Sequence, residues 1–333
     1  MFQLNPLFRS HAVFAAKKPI RIFGEGKGTV TLTFADQTRT VEADGKWMAE
    51  FPSMEYGGPY TLAVTDGRET FTAEDIFVGE VFLMAGQSNM QFKLKESNFP
   101  EENYAADPAV RLFVAQRLEE GEPYTPADGW VLSDADGIPN WSAIAYHVGH
   151  QWAKKGIAVG LICCYQRASV IGSWLPEGTL EALGIRVSEG GLCADHSVNR
   201  YKEWNADGAL YRRSLSTLAP YALSAVAWYQ GESNWYPEES RYYKKELTEM
   251  IRVWRKDFAD EALPFVIIQI ADYANRLGEG WSNIQNAQWE IQSEVPAVKT
   301  VISADVSETD NIHPPTKHLL SARVADALDA LLG

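Results

Sequence analysis

The chain has 333 residues, of which 46% are hydrophobic and 11 are tryptophan, so it is long enough to bury the core of one large domain or of two. Its 30 basic and 44 acidic residues give a formal net charge of −14, which argues against nucleic acid or an anionic membrane as a partner. No apolar run approaches the roughly 20 residues that a membrane-spanning helix needs. The N-terminus also lacks the pattern of a signal peptide, and we predict a cytoplasmic protein.

The three cysteines, Cys163, Cys164 and Cys193, do not suggest a disulfide framework, because their number is odd and two of them are adjacent. Their spacing also matches no zinc site. We predict reduced, buried thiols, no metal and no cofactor, in agreement with a cytoplasmic location. The sequence makes no prediction about the oligomeric state.

The first 75 residues have the pattern of β-structure. Apolar and polar residues alternate over residues 29–34, 47–51 and 60–64, and Gly and Asp residues typical of turns separate these runs. Short strands at close, regular spacing predict a small β-sandwich domain over residues 1–75. We favour a domain that packs against its neighbour over a carbohydrate-binding module, because no cluster of charged or aromatic residues there indicates a binding site.

After residue 75 the pattern changes to apolar strands that alternate with helices. Strands are predicted at residues 80–85, 109–115, 157–163, 223–228, 264–270 and 298–303, and helices at residues 142–155, 207–219, 238–258, 282–293 and 315–332. The alternation predicts an α/β domain over residues 76–333, with a doubly wound, mostly parallel sheet that helices cover on both faces. Two loop-rich segments, residues 116–140 and 176–206, are predicted at the surface, where a loop can border a binding crevice.

Polar clusters occur at three places in this domain. Residues 86–90 (Gly-Gln-Ser-Asn-Met) follow the apolar run at 81–85, residues 228–234 (Trp-Tyr-Gln-Gly-Glu-Ser-Asn) follow the apolar run at 223–227, and residues 310–314 (Asp-Asn-Ile-His-Pro) precede the final helix. Ligands of open α/β sheets bind beyond the carboxyl ends of the strands. We therefore expect the three clusters to meet at one edge of the sheet.

The clusters contain the residue types that a serine hydrolase needs. Ser88 could act as a nucleophile, or it could simply cap the helix that follows. His313 has the ordinary pKa of a general base near neutrality, and Asp310 could accept its other ring N–H and orient it. Three further histidines lie in helical patterns and are interpreted as packed or solvated residues: His147, His150 and His318.

These motifs resemble those of the sialate O-acetylesterase-like carbohydrate esterases, a branch of the SGNH hydrolases. Residues 18–24, 57–62 and 77–82 are similar to the β-domain and entry strand of bacterial members, so the resemblance extends over nearly the whole chain. It implies a flavodoxin-like core and metal-free hydrolysis of acetyl esters on a sugar or oligosaccharide. Ser88 would be the nucleophile, His313 the general base and then acid, and Asp310 the residue that orients the imidazole.

The resemblance also implies roles for neighbouring residues. The oxyanion hole would consist of the backbone N–H groups of Ser88 and Ala168 and the side-chain amide of Gln230. Four residues are expected to contact the substrate: Gln87, Asn89, Arg167 and Trp174. Three others are expected to shape and hold the loops: Gly86, Gly231 and Glu232.

Residues 167–174 depart from the family pattern, since Arg167 and Ala168 stand where glycines are usual. Ala168 keeps a backbone donor, but a positive φ at this position would be unfavourable for alanine. The guanidinium of Arg167 could bind a carboxylated sugar, or it could turn to solvent.

Two other functions stay open on the sequence alone. The fold could belong to a non-catalytic carbohydrate-binding protein, although the intact set of Ser88, Asp310 and His313 argues against this. A glycoside hydrolase could use Glu232 and Asp310 as paired carboxylates, but that reaction gives no reason for the cluster around Ser88. We predict a serine esterase that removes O-acetyl groups from carbohydrate, of the sialate or acetylxylan type, and the sequence does not identify the sugar.

Overall fold

The computed structural model describes residues 2–117, 129–185 and 201–333. Cys193 and parts of the predicted loops at 116–140 and 176–206 lie outside these ranges. The described strands are β1 (Phe2–Leu4), β2 (Val13–Ala15), β3 (Ile20–Phe34), β4 (Gln37–Phe51), β5 (Gly57–Thr65), β6 (Thr70–Gly86), β7 (Val110–Val114), β8 (Trp130–Leu132), β9 (Val159–Tyr165), β10 (Ala225–Tyr229), β11 (Phe265–Ile268) and β12 (Val298–Val301). The described α-helices are α1 (Ser88–Gln91), α2 (Ala143–Ala153), α3 (Thr179–Ala182), α4 (Lys202–Asn205), α5 (Ala209–Arg213), α6 (Pro237–Ser240), α7 (Tyr243–Asp257), α8 (Glu279–Glu294) and α9 (Lys317–Leu332).

The C-terminal part of the described chain forms a parallel sheet with strand order β7-β9-β6-β10-β11-β12. The short strand β8 pairs with β7 in the antiparallel direction and extends this edge. Without the β7–β8 pair the order is β9-β6-β10-β11-β12, which is 2-1-3-4-5 in chain order, as in flavodoxin-like sheets. The strand order therefore reverses at β6, and ligands of such sheets bind at the reversal.

Most elements predicted after residue 75 are confirmed to within a few residues. The apolar runs form β9, β10 and β11, which are buried along their whole length, as expected of strands covered on both faces. The helices predicted at the end of the chain are present as α8 and α9.

The helix predicted at residues 207–219 is wrong in its length. Helix α5 ends at Arg213, and a short 3₁₀-helix (Leu215–Thr217) follows it. At the junction Ser214 donates its hydroxyl to the carbonyl of Gln116 (2.6 Å), and Thr217 donates its own to the carbonyl of Ser214 (2.6 Å). These side-chain hydrogen bonds compete with a continuous helical ladder. The helix predicted at 238–258 is likewise two helices, α6 and α7.

The N-terminal strands form one sheet, so the predicted sandwich of two facing sheets is not confirmed. Strands β3 and β4 pair as a long hairpin, β3 pairs with β5, and β5 pairs with the first half of β6. The second half of β6 then enters the parallel sheet between β9 and β10. The residues of β6 accordingly change from alternately exposed and buried in the first half to continuously buried in the second half. Because β6 crosses residue 75, the division of the chain into two domains stays a prediction.

Buried apolar side chains from both parts of the chain form one continuous cluster. Cys163 and Cys164 are fully buried and unpaired in β9, and burial raises the pKa of both thiols. The prediction of buried thiols is thus confirmed for these two. Among the described helices, none has the length and apolar character that crossing a membrane requires.

Candidate active site

Two glycines allow the loops of the site to approach each other closely. Gly86, at the end of β6, has φ +144°, and a Cβ atom there would lie 2.1 Å from the carbonyl oxygen of Tyr229. Gly231 has φ +151°, and its Cβ atom would lie 2.8 Å from the side chain of Ile284. Side chains are excluded at both positions by conformation and by space. Both glycines therefore support the loops, as the sequence predicts.

Ser88 and His313 lie in hydrogen-bond contact although 225 residues separate them, with 2.8 Å between Ser88 Oγ and His313 Nε2. Ser88 is the first residue of α1, directly after the turn at Gly86. His313 lies in the loop before α9, where its backbone N–H donates to Asn311 Oδ1 (2.8 Å). A hydroxyl in contact with an imidazole is the arrangement that makes serine a nucleophile.

The surroundings of His313 favour a neutral imidazole. Burial lowers the pKa of His313 below its usual value, the positive charge of Lys317 lowers it further, and Glu96 acts in the opposite direction. A neutral imidazole accepts a proton, whereas a protonated one cannot, so the lowered pKa keeps His313 competent as a base at neutral pH.

Asp310 is exposed, and none of the hydrogen bonds between described residues joins its carboxylate to the imidazole of His313. The carboxylate whose charge raises the pKa of His313 is instead that of Glu96, which caps its own short helix by accepting from the N–H of Lys93 (3.1 Å). The role of Asp310 as the orienting residue stays a prediction.

Asn89 is part of a buried network and does not face a substrate as expected. It is 2% exposed. Its Nδ2 donates to Glu232 Oε1 (2.5 Å) and to the carbonyl of Ile312 (2.9 Å), and its Oδ1 accepts from Lys317 Nζ (2.6 Å). Glu232 is 3% exposed, and burial raises the pKa of its carboxyl group. Glu232 thus ties the loop after β10 to α1, in the supporting role predicted for it.

Lys317 is the residue of this site that the sequence analysis missed. It is the first residue of α9 and is 1% exposed. A signal was available, because Lys317 precedes Leu320, Val324 and Leu328 on the apolar stripe of that helix. A lysine on a buried stripe needs a partner, and the partner here is Asn89.

Gln230 and Gln87 also differ from their predicted roles. Gln230 is 0% exposed. Its side-chain amide donates one hydrogen to the carbonyl of Ser169 (2.9 Å) and the other to Asn234 Oδ1 (2.8 Å). It therefore has no donor left for an oxyanion. Gln87 is buried and accepts from the N–H of Gly231 (3.3 Å) through its side chain. Both glutamines hold the loops together, and contact of Gln87 with a substrate stays a prediction.

Trp174 and Arg167 have different surroundings. Trp174 is 0% exposed and packs edge to face against Trp228, with 5.7 Å between ring centroids. It belongs to the core, so the prediction that it contacts the substrate is wrong. Arg167 is half-buried with its guanidinium 5.8 Å from the ring centre of Tyr201, and its contact with a substrate stays a prediction.

Ala168 has the positive φ that the sequence analysis identified as unfavourable. Its φ is +51°, and Asn205 fixes the turn by donating to the carbonyl of Ala168 (2.8 Å) and accepting from the N–H of Val170 (3.0 Å). Within the described residues, the N–H groups of Ala168 and Ser88 have no hydrogen-bond acceptor. Both backbone donors are thus available, and their role in an oxyanion hole stays a prediction.

We expect the substitution Ala168→Gly to raise the free energy of unfolding by about 0.5–1 kcal/mol. Relief of the left-handed strain contributes about 1–2 kcal/mol, and the greater entropy of unfolded glycine removes part of it. Ala322→Gly, at an exposed position of α9, is the matched control and should lower stability by about 1 kcal/mol. Urea unfolding of both variants tests this, and equal destabilisation by the two would contradict the assigned strain.

The three histidines of the predicted helices, His147, His150 and His318, pack as predicted. His147 lies edge to face against Phe99, with 4.6 Å between ring centroids, and 6.2 Å from His318. Burial lowers the pKa of His147 to about 4. His150 is half-buried and contacts the carbonyl of Tyr146 (2.7 Å).

Two further features of the described residues concern the requirements of a metal site and the presence of a second cleft. In residues 2–117, 129–185 and 201–333, no group of three or more His, Cys, Asp and Glu side chains is placed to hold a metal ion. A cleft of about 560 Å³ opens between the N-terminal strands and residues 212–220, lined in part by Trp47 and Met48. None of its lining residues belongs to the site around Ser88.

Known proteins resemble this chain in sequence and in fold. Residues 78–329 match the family model described as carbohydrate esterase, sialic acid-specific acetylesterase. The sialate O-acetylesterases of Mus musculus and Homo sapiens are 26% and 24% identical to it, and these matches cover 91% of this chain and 68% and 65% of the two relatives. A solved carbohydrate acetylesterase from Xanthomonas citri shares the fold, with a TM-score of 0.85 at 24% identity over 100% of this chain and 75% of that one. The chain thus spans about two thirds of the curated relatives' length.

Proposed function

Because the chain belongs to the sialic acid-specific acetylesterase family of carbohydrate esterases, we propose that it hydrolyses O-acetyl esters of carbohydrates through an acetyl-enzyme on Ser88. The observation that carries the mechanism is the 2.8 Å contact between Ser88 Oγ and His313 Nε2. The half-buried hydroxyl lies where the strand order of the sheet reverses, the usual place for a ligand in such a sheet.

In the first half of the reaction, His313 Nε2 takes the hydroxyl proton of Ser88 while Oγ attacks the acetyl carbonyl carbon. The resulting oxyanion would lie against the N–H groups of Ser88 and Ala168. The ester C–O bond to the sugar then breaks, and the imidazolium returns the proton to the departing sugar oxygen. The products of this half are the deacetylated sugar and acetyl-Ser88.

In the second half, a water molecule replaces the sugar. His313 takes a proton from the water as its oxygen attacks the acetyl carbon, and the imidazolium then protonates Ser88 Oγ as the acyl–oxygen bond breaks. Acetic acid leaves and ionises to acetate in solution. The same histidine therefore serves as base and as acid in each half.

The strand order 2-1-3-4-5 supports the assignment of an SGNH-type, flavodoxin-like core. The cytoplasmic location inferred from the sequence stays a prediction. Glu232 gives little support to a glycoside hydrolase, because its carboxylate is buried against Asn89 and Asp310 is exposed. The contact between Ser88 and His313 also has no use in a protein that only binds carbohydrate.

The proposal is tested by incubating the protein with an aryl acetate, O-acetyl sialate and acetylated xylo-oligosaccharides and by quantifying acetate. We expect release from the aryl ester and from at least one carbohydrate, with unchanged rates after treatment with a chelator. The preferred carbohydrate would identify the substrate class. Folded protein that releases no acetate from any of these esters would refute the proposal.

A further inference from the structure

We propose that Lys317 is a positioning residue of the esterase reaction, which through Asn89 holds the loop of His313 against the helix of Ser88. This inference rests on the proposed function and deepens it. It concerns the network of Asn89, Glu232 and Lys317, whose members come from three separate parts of the chain.

Asn89 can adopt only one orientation of its side-chain amide in this network. Both Nδ2 hydrogens face acceptors, Glu232 Oε1 at 2.5 Å and the carbonyl of Ile312 at 2.9 Å. The Oδ1 atom faces the Lys317 ammonium at 2.6 Å, and an ammonium is only a donor. A flipped amide would place donors against Lys317 and an acceptor against two acceptors, so the three partners determine the orientation.

The network connects the nucleophile and the base directly. Asn89 is the neighbour of Ser88 in α1, Ile312 is the neighbour of His313, and Lys317 begins α9. Asn89 therefore contacts the loop of His313 on both sides of the imidazole: it donates to the carbonyl of Ile312 and accepts from Lys317, four residues after His313. A general base must lie within about 2.6–3.2 Å of the group that it deprotonates, and this network holds the two loops at such a separation.

Stability alone does not account for a charged residue at this position. Lys317 is 1% exposed. Burial lowers its pKa to about 7, although the negative charges of Glu232 and Glu308 act to raise it. Its ammonium also lies 5.0 Å and 5.4 Å from the ring centres of Phe92 and Tyr229. Apolar side chains of similar volume often replace buried ion networks without loss of stability. The position thus points to a role for the ammonium in the reaction.

The ammonium also acts on His313 through its charge. The charged groups that affect His313 are Lys317 of α9, which lowers its pKa, and Glu96, which raises it, after the larger effect of burial. Below pH 6.5 the protonated form of Lys317 predominates, since its own pKa is about 7. Removing this charge should raise the pKa of His313. On acidification, His313 would then become protonated, and stop acting as a base, at a higher pH than in the wild type.

The test compares wild type with Lys317→Met, which keeps most of the volume and removes the charge. With an aryl acetate, we expect kcat to fall by about 100-fold, as for a displaced catalytic group, with KM within threefold. The acid limb of kcat/KM should move to higher pH. A titration of the His313 ring by NMR, assigned with His313→Gln, should show the same shift without relying on activity.

A double variant separates positioning from the balance of buried charge. Lys317→Met leaves Glu232 without its counter-charge, which can unfold the protein, and Lys317→Met/Glu232→Gln removes both charges. We expect the double variant to regain thermal stability but to keep the low kcat and the shifted acid limb of kcat/KM. Lys244→Met, which removes an exposed lysine paired with Glu290, should leave kcat and pH profile unchanged.

The outcomes distinguish this inference from the proposed function. Full activity and an unshifted limb in Lys317→Met, or recovery of both by the double variant, would overturn the positioning role while leaving the esterase intact. Wild-type protein without acetate release would refute the proposed function, and the NMR titration would still decide whether Lys317 acts on His313.

Discussion

Replacement of Ser88 by alanine is expected to lower kcat for acetate release by roughly 10⁴–10⁶-fold, the range found when a nucleophilic serine is removed. Without Oγ no acetyl-enzyme forms, and the remaining rate comes from binding and from backbone donors such as the N–H of Ala168. KM should change little, because the acetyl group keeps its other contacts. The measurement is acetate release from an aryl acetate and from the preferred carbohydrate.

The fold should tolerate this change. Ser88 is half-buried, and its side chain makes one hydrogen bond, to His313, so the loss of stability should be about 1 kcal/mol. Ser293→Ala, which removes an exposed hydroxyl bonded to the carbonyl of Glu290, is the matched control and should retain full activity. Equal acetate release by wild type and Ser88→Ala would remove Ser88 from the mechanism and leave the family membership untouched.

Replacement of His313 by glutamine should reduce kcat nearly as much, because Ser88 then has no base. The effects of the two single variants should not add in the double variant Ser88→Ala/His313→Gln, since both remove the same chemical step. The pH profile gives an independent signature. Since burial and Lys317 lower the pKa of His313, the acid limb of wild-type kcat/KM should lie below pH 6.5 and should vanish in His313→Gln.

Asp310→Asn is the informative comparison for the histidine variant. The carboxylate is exposed and makes no hydrogen bond to His313 within the described structure, and exposed charge pairs contribute about 0.2–1 kcal/mol. We therefore expect Asp310→Asn to lower kcat/KM by about fivefold at most, with His11→Gln, in the turn before β2, as a neutral control. A loss of more than 100-fold would mean that Asp310 moves onto the imidazole when substrate binds.

The proposed chemistry uses residues at three neighbouring strand ends. β6 carries Ser88 just beyond its carboxyl end, β9 on one side leads to Ala168, and β10 on the other leads to Gln230 and Glu232. The loop of His313 follows β12, which does not neighbour β6, and is joined to α1 through Asn89. This arrangement explains why a buried network, instead of a neighbouring strand, must hold the base against the nucleophile.

Much of the architecture is determined by local sequence. Runs of apolar residues predict the buried strands, and the apolar stripe of residues 320, 324, 328 and 331 predicts α9. The motifs around Ser88 and His313 predict the one contact on which the mechanism depends, because strand ends that carry polar loops meet at one edge of a parallel sheet. The unfavourable backbone at Ala168 was also foreseeable, since glycine is usual there in the family.

The tertiary structure alone decided which polar side chains face the crevice and which face the interior. Gln230 and Asn89 stand in motif positions, yet each has its hydrogen bonds taken by groups far away in the sequence, such as the carbonyl of Ser169 and the ammonium of Lys317. Trp174 likewise lies in the core, because Trp228 packs against it in the folded chain. A sequence motif specifies which groups are present, whereas the direction of a side chain depends on partners that only the folded chain brings together, since a buried polar group must find a hydrogen-bond partner.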